Sequence, residues 1–520
     1  MKVYTGQQIR AWDAYTIAHE PISSLQLMER AAVACCHWIT TNYALKGKVY
    51  YIFCAKGNNG GDGLALARLL LERHIPTQVF ILEFGNKGTE DFQANLSALH
   101  ALTQNIMYIQ GEDAFPTLPA GAVIVDALLG SGLNRPLEGL TAALVRFLNG
   151  SGLPILAIDL PTGLRTDEPS TEGPSATGTG AQGASTPGAG APDGGAVVIR
   201  AAHTLTLGAW KLGLLLAENA PFFGEVHLLP IGLHPGYEAE SRLEVVEPAV
   251  VAKWYRPRPS FGHKGTFGHA LLVAGGEGKM GACILSARAC LHSGVGLTTV
   301  FVPHAQVPIV QTAVPEAMAL ADLARIDPAS YKALGIGPGM GTDKKALDLL
   351  ERLLVMARST PLVLDADALT LLGNHPHSWK DVPEGAILTP HPKEFERLFG
   401  PVATDFERLQ MALEQAVRRQ CVIVLKGHRT LVAGPDGSGY FNTTGNAGMA
   451  TGGSGDVLTG ILTSLLAQGY PSFQAAVLGV YLHGLAGDLA LDEQSMESLT
   501  ASGIVDSLGK AFKHLGSGHI

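Results

Sequence analysis

The chain has 520 residues, which at about 100–200 residues per domain gives two to four domains. Hydrophobic residues make up 46%, enough for sizeable cores, so wholesale disorder is excluded. Lys and Arg number 37 against 46 Asp and Glu, a net charge of -9 with no basic stripe, so no nucleic-acid partner is expected.

The opening residues, Met1-Lys2-Val3-Tyr4-Thr5-Gly6, lack the apolar core of a secretory signal, and no apolar run approaches the ~20 residues that span a bilayer. A cytoplasmic protein with no membrane partner is expected. The six cysteines show no C-x-x-C spacing, and Cys54, Cys283, Cys290 and Cys421 lie in apolar stretches. Buried, reduced thiols fit better than a disulfide framework or structural zinc.

The first half alternates strand and helix signals. Val49–Cys54, Thr77–Leu82, Ala122–Asp126 and Ile155–Asp159 are short apolar runs without alternation, as parallel strands buried on both faces require. Helical stretches such as Leu64–Arg73 and Gln93–Leu102 lie between them, so the pattern predicts a doubly wound Rossmann-like α/β sheet. Residues 167–195 are almost entirely Gly, Ala, Ser, Thr and Pro and cannot bury enough surface to offset the entropy of ordering. Strand-like Val197–Leu207 and Glu225–Pro230 follow and need the upstream sheet. The segment therefore reads as a disordered insertion within a first domain of residues 1–235. A second α/β domain, 245–515, is predicted from Ala270–Ala274, Leu297–Val302, Leu334–Ile336, Leu362–Asp365, Ala386–Thr389 and Val422–Leu425. Thr430–Ala433, a Gly434-Pro435-Asp436-Gly437 turn and a returning strand to Phe441 complete it.

Ligands gather at the carboxyl ends of strands in such sheets. After the strand ending at Cys54 comes Gly57-Asn58-Asn59-Gly60-Gly61-Asp62-Gly63, running into a helix at Leu64. Its glycines permit close approach, and the helix N-terminus offers unpaired N–H groups to an anion. A tight turn alone would not need the paired Asn and the Asp. Val123-Ile124-Val125-Asp126 leads into Leu129-Gly130-Ser131-Gly132-Leu133-Asn134-Arg135-Pro136, and Ile155-Leu156-Ala157-Ile158-Asp159 leads into Leu160-Pro161-Thr162-Gly163. One such Asp could merely cap a helix. Two, with Asn59 on a third strand, would converge on one crevice, where they could hold a hard monovalent cation or act as acid/base.

These motifs together resemble the NAD(P)H-hydrate epimerases, over about residues 1–230. The resemblance implies that Asn58, Asn59, Gly60, Gly61 and Asp62, with Gly130, Ser131, Gly132, Leu133, Asn134, Arg135 and Pro136, bind the hydrated nucleotide. It also implies potassium held by Asn59, Asp126 and Thr162, and Asp159 as the substrate-contacting acid/base. The family often has Ser where this chain has Thr162; the oxygen is kept.

In the second half, Gly452-Gly453-Ser454-Gly455-Asp456-Val457-Leu458 opens a helix. Its N–H groups would form an anion hole with Asp456 beside it as a base, the pairing that phosphoryl transfer needs. It is joined by Leu425-Lys426-Gly427-His428-Arg429-Thr430, by Gly335-Ile336-Gly337-Pro338-Gly339-Met340-Gly341, and by Leu388-Thr389-Pro390-His391-Pro392-Lys393-Glu394. Together these resemble the ribokinase-like fold and, within it, the ADP-dependent NAD(P)H-hydrate dehydratases, over about 245–515. The resemblance implies nucleotide contacts from Lys426, Gly427, His428, Arg429, Thr430 and Gly455. Hydrate contacts would come from Ala282, Gly339, His391 and Asp456, the last also catalytic. ADP is the implied co-substrate, Mg2+ the implied metal of this domain, and a homo-oligomer the implied state. Many members carry Thr at the Ser454 position, a change that leaves the backbone donors in place. His391 alone would read as a capping or core histidine.

Both halves thus point to hydrated NADH and NADPH (NADHX and NADPHX): epimerisation of the R and S hydrates, then ADP-dependent dehydration of the S hydrate, releasing AMP and phosphate. The rival reading is a vitamin or sugar kinase of ribokinase-like fold fused to a non-catalytic Rossmann-like binding domain. The joint presence of Asn59, Asp126 and Asp159 speaks against it.

Overall fold

The computed structural model describes residues 1–43, 47–133, 135–168 and 197–516. Of the segment read as an insertion, 169–195 lies outside the described residues. The chain divides into two compact units: Met1–Ser241 with Ala403–Phe406, and Arg242–Val402 with Glu407–Ile520.

The first unit carries, among the described residues, a seven-stranded sheet of order β3-β2-β1-β4-β5-β6-β7, parallel throughout. The strands are β1 (Tyr50–Cys54), β2 (Thr77–Leu82), β3 (Ile106–Ile109), β4 (Val123–Ala127), β5 (Ile155–Ile158), β6 (His203–Leu207) and β7 (Glu225–Leu229). Period-two geometry explains the unbroken apolar runs. In β1, Ile52 and Cys54 enter one core with Leu64, Leu70 and Val125, while Tyr51 and Phe53 enter the opposite core with Phe80, Ile124 and Leu144. Both sheet faces are therefore dry. The strand order reverses between β1 and β4, the switch point at which a crevice opens beyond the carboxyl ends.

Helices α1 (Gly6–His19) and α2 (Ser24–Asn42) precede the sheet, each opened by a capping box, at Thr5/Gln8 and Ser23/Gln26. Helix α3 spans Asn58–Glu72. This corrects the expected start at Leu64: the Gly-rich motif is the first turns of the helix, not a loop before it. A Cβ at Gly60 would lie 1.6 Å from the Ala55 carbonyl oxygen, and one at Gly63 2.5 Å from the Ala127 Cβ. Glycine lets the helix start that close to the strands. Strand-like Val197–Leu207 also shortens, to β6 alone.

The second unit carries a ten-stranded sheet of order β11-β10-β9-β12-β13-β14-β15-β16-β17-β8. Its strands are β8 (Leu243–Val245), β9 (His269–Val273), β10 (Leu297–Phe301), β11 (Met318–Leu320), β12 (Ala333–Ile336), β13 (Leu362–Leu364), β14 (Ile387–Leu388), β15 (Val422–Leu425), β16 (Leu431–Ala433) and β17 (Gly439–Phe441). Pairing is parallel from β11 to β15, then antiparallel through β16 and β17. The Gly437 N–H donates to the Gly434 carbonyl at 3.0 Å, closing the turn the sequence marked. The helix Ser454–Ala467 is buried along almost its whole length and packs in one core with Cys283, Ala287 and Val363. All six cysteines are free and buried. Among the described residues no helix is long and apolar enough to cross a membrane.

Candidate active sites

The first crevice is a cavity of about 550 Å³ lined by Asn58, Asn59, Asp62, Gly130–Leu133, Arg135 and Asp159, together with Asp13 from α1. Gly60 and Gly61 instead face Ala55 and Met28, and Pro136 does not line it. Asn134 lies outside the described residues.

β4 delivers Asp126 to a fully buried position, where its carboxylate accepts the Thr162 N–H at 2.8 Å, the Thr162 hydroxyl at 2.7 Å and the Leu128 N–H at 3.2 Å. Burial pushes its pKa up to about 6 against the pull of those bonds. The Thr162 hydroxyl oxygen accepts the Leu129 N–H at 2.9 Å, which ties the Gly130–Pro136 loop to Asp126. Asn59, on the first turn of α3, is buried, and neither its amide oxygen nor its amide nitrogen has a hydrogen-bond partner. A buried amide left without partners is costly, so a ligand is expected there. A Cβ on Gly130 would meet the Asn59 Oδ1 at 3.2 Å and the Asp159 Oδ2 at 3.1 Å, so glycine keeps that space open.

Asp159 follows β5 in a left-handed conformation, φ 67°, a strained state for a non-glycine residue. Its Oδ1 accepts from the Lys211 ammonium at 2.6 Å, and its Oδ2 from the Ser131 N–H at 3.3 Å. Lys211 is wholly buried; it also donates to Thr206 Oγ1 at 2.8 Å and the Leu207 carbonyl at 2.7 Å, so all three of its protons are placed. Sequence reasoning missed Lys211, which sits in no motif, and Asp13, which precedes the first strand. Burial raises Asp13 to about 6, with Asp159 adding to the rise and Lys211 opposing it. Burial, then the charges of Asp159, Asp13 and Asp91, hold Asp62 well above the carboxylate range.

In the second unit Lys426, Gly455 and Asp456 come together at the start of the Ser454–Ala467 helix. Gly453 ends the approach in the left-handed region, φ 92°, and Asp456 sits in the first turn. The Lys426 ammonium, arriving from β15, donates to Asp365 Oδ1 at 2.8 Å and lies 3.9 Å from Glu394 Oε2. It also sits over Gly455, where a Cβ would meet it at 3.4 Å. Burial disfavours its charge, but Asp365 and Glu394 prevail and hold its pKa above the usual lysine value. The other Asp365 oxygen accepts the Thr459 hydroxyl at 2.7 Å. Asp456 is raised to about 6 by burial and by Asp365, with Lys426 pulling the other way. His391 caps the helix Pro392–Phe399: its Nδ1 accepts the N–H groups of Lys393 and Glu394, and Glu394 accepts the His391 N–H in return. The half-exposed ring also sets its Nε2 3.4 Å from Glu394 Oε1. Gly339 and Ala282 come together, since a Cβ on Gly339 would meet the Ala282 Cβ at 3.3 Å. In the Lys426–Thr430 segment, the Thr430 hydroxyl donates to the Gly427 carbonyl at 2.9 Å, and Arg429 donates to the Thr443 carbonyl at 3.0 Å. Asp365 was missed, although its signal, a strand ending in aspartate, is the one that marked Asp126 and Asp159.

Residues 270–510 match the family described as NAD(P)H-hydrate dehydratase, and residues 24–213 the family described as YjeF-related protein N-terminus. The bifunctional NAD(P)H-hydrate repair enzyme of Moorella thermoacetica is 34% identical over 99% of this chain and 97% of its own. The chain belongs to the bifunctional NAD(P)H-hydrate repair enzymes. The repair enzymes of Coxiella burnetii and Escherichia coli are each 32% identical, over 97% and 93% of this chain and 98% and 88% of theirs. Among solved structures, an ADP/ATP-dependent NAD(P)H-hydrate dehydratase from Bacillus subtilis, co-crystallised with ATP/Mg2+, is 32% identical over 52% of this chain and 98% of its own, with a TM-score of 0.47. For this repair enzyme the fold is mixed α/β, with the NAD(P)H-hydrate dehydratase family match lying almost wholly in the second unit.

Proposed function

We propose that the two crevices divide the repair of hydrated NADH and NADPH between them, the first epimerising the C6 hydroxyl and the second dehydrating the S hydrate with ADP. Asn59 carries the reading for the first crevice, because its unpartnered buried amide lines, with Asp159, a cavity large enough for a dinucleotide end. Asp159, hydrogen-bonded to Lys211, assists departure and return of the hydroxide while the ring nitrogen stabilises the cation formed at C6. The Gly130–Pro136 loop and the N-terminus of α3 hold the phosphates. Asn59, Asp126 and Thr162 present only oxygen to a cation, a donor set that fits potassium, and the orphaned Asn59 carbonyl is a vacant donor of that kind. Potassium bound there would supply positive charge that offsets the buried Asp126.

In the second crevice, the S-hydroxyl oxygen attacks the terminal phosphorus of ADP, AMP leaves, and Asp456 accepts the hydroxyl proton. The phosphate then departs from C6 and a proton is lost from C5, which regenerates the dihydropyridine; phosphate is a far better leaving group than hydroxide. The N–H groups around Gly455 and the Lys426–Thr430 segment hold the nucleotide. The carboxylates Asp365 and Asp367 suit a magnesium carried in with it, since magnesium favours one or two carboxylates plus phosphate oxygens. Incubation with mixed R and S hydrate plus ADP, with potassium present or replaced by tetramethylammonium, tests the reading. Loss of both epimers with recovery of reduced-nicotinamide absorbance is expected, and slower loss of the R epimer without potassium. A lasting phosphorylated product would make the second domain a kinase instead.

A further inference from the structure

A cluster that the repair chemistry does not use lies at the amino ends of β6 and β7, whereas Asp159 lies past the carboxyl end of β5. Parallel pairing sets His203 opposite Glu225 and Leu205 opposite His227. His203, Glu225 and His227 therefore all project from one face of the sheet. There His203 Nδ1 is 3.1 Å from His227 Nε2 and 3.6 Å from Glu225 Oε2, and His227 Nε2 is 3.8 Å from Glu225 Oε1. Among the described residues this trio is the group of His, Cys, Asp and Glu whose ligand atoms fall within one metal-sized space.

The spacing of the three side chains is close to what a metal needs. Tetrahedral zinc bonds nitrogen and oxygen at about 2.0–2.2 Å, which puts neighbouring ligand atoms about 3.3–3.6 Å apart. The two nitrogens are 3.1 Å apart, and the carboxylate approaches them through different oxygens, Oε2 at 3.6 Å from His203 and Oε1 at 3.8 Å from His227, so each separation lies close to that span. The imidazoles are mostly buried and the carboxylate mostly exposed, so the fourth position opens to water. Trp38 of α2 packs 4.5 Å from His227 and 5.3 Å from His203, ring centre to ring centre, and Tyr43 stands edge-on to His203 at 5.8 Å. These rings fix both imidazoles, the role that supporting groups play around bound metals. A surface histidine pair would need neither the opposed carboxylate nor the aromatic wall.

We infer that His203, His227 and Glu225 form a two-histidine, one-carboxylate binding site for a divalent transition metal of the zinc type, toward the amino ends of the first unit's strands, away from the crevice at their carboxyl ends. A nitrogen- and oxygen-donor set of this kind takes zinc, cobalt and copper and leaves magnesium and calcium unbound.

The test uses tag-free full-length protein. Titration with Co2+ should give one equivalent bound with the intense visible absorption of tetrahedral cobalt, displaced by Zn2+ and not by Mg2+. Zinc affinity by calorimetry should fall in His227→Gln by more than the roughly 10–100-fold that loss of a supporting partner costs. Glu225→Gln changes an exposed group that cannot endanger folding, and should weaken zinc in the same direction. Both variants should keep epimerase and dehydratase rates. Absence of the tetrahedral cobalt band, or zinc affinity unchanged in both variants, would reduce the trio to a hydrogen-bonded histidine pair beside a carboxylate.

Discussion

Asp159 combines three properties that a merely structural aspartate does not need: strained backbone, a buried ammonium at 2.6 Å, and a place on the cavity wall. Asp159→Asn keeps the size but not the charge or the proton. It is expected to abolish epimerisation while ADP-driven repair of the S hydrate continues, read by following each epimer separately. Equilibration at the parental rate would move the acid/base role to Asp13 or Asp62. The same change leaves the Lys211 charge buried without its counter-ion, at a cost of about 3–5 kcal/mol in stability. Asp159→Asn with Lys211→Met should therefore recover melting temperature but not epimerase activity. In the second crevice the decisive quantity is the Asp456 pKa of about 6. A base works only when deprotonated, so the dehydration rate should fall as pH drops through about 6. Lys426 lowers that pKa, so Lys426→Met should move the acid limb to higher pH. Asp456→Asn should cost about 10²–10⁴-fold in single-turnover rate while calorimetric titration still shows ADP binding. Loss of ADP affinity instead would assign Asp456 to the nucleotide.

At the scale of elements, the central strands were legible because each is buried on both faces and leaves an unbroken apolar run. The strands β3, β8 and β11 were not, since each lies at a sheet edge and is buried at one residue at most. The start of α3 was misplaced for a different reason. Six residues rich in glycine disfavour helix locally, and the close packing of Gly60 and Gly63 on the strands overrides that propensity. The aspartates at strand ends and Asn59 could be read from position alone. Lys211 could not, because its partner Asp159 lies 52 residues away and only the fold joins them. The α3 packing is testable at Gly60. A Cβ there meets the backbone of Ala55, which cannot rotate away, so Gly60→Ala must push the first turn of the helix outward and carry Asn59 with it. We expect a loss of about 1–3 kcal/mol in the first unit's stability, the usual range for overpacking, together with loss of epimerase activity and retained dehydratase activity. Scanning calorimetry and the two assays check this. An unaltered melting curve with parental epimerisation would mean that the helix begins later than Asn58.

At the scale of the whole molecule, each unit has its own hydrophobic core, and the residues lining the first crevice all belong to the first unit. Every polar partner given above for Asp159 lies in the first unit, and Asp456 is tuned by Asp365, Lys426 and Asp367 of the second. The species exchanged between them is a soluble dinucleotide, and the first reaction ends with the hydrate released in either configuration. Nothing in that chemistry requires both active sites to be on one polypeptide. Asp159→Asn alone should repair only the S fraction of a mixed hydrate within the assay time, and Asp456→Asn alone should repair neither epimer. An equimolar mixture of the two variants should then consume both epimers completely, because one supplies the epimerase and the other the dehydratase. Rates should scale with the concentration of each variant independently, reaching the parental course when both are in excess. If the mixture left the R epimer standing while each variant kept its own remaining activity, the hydrate would have to pass between sites on a single chain.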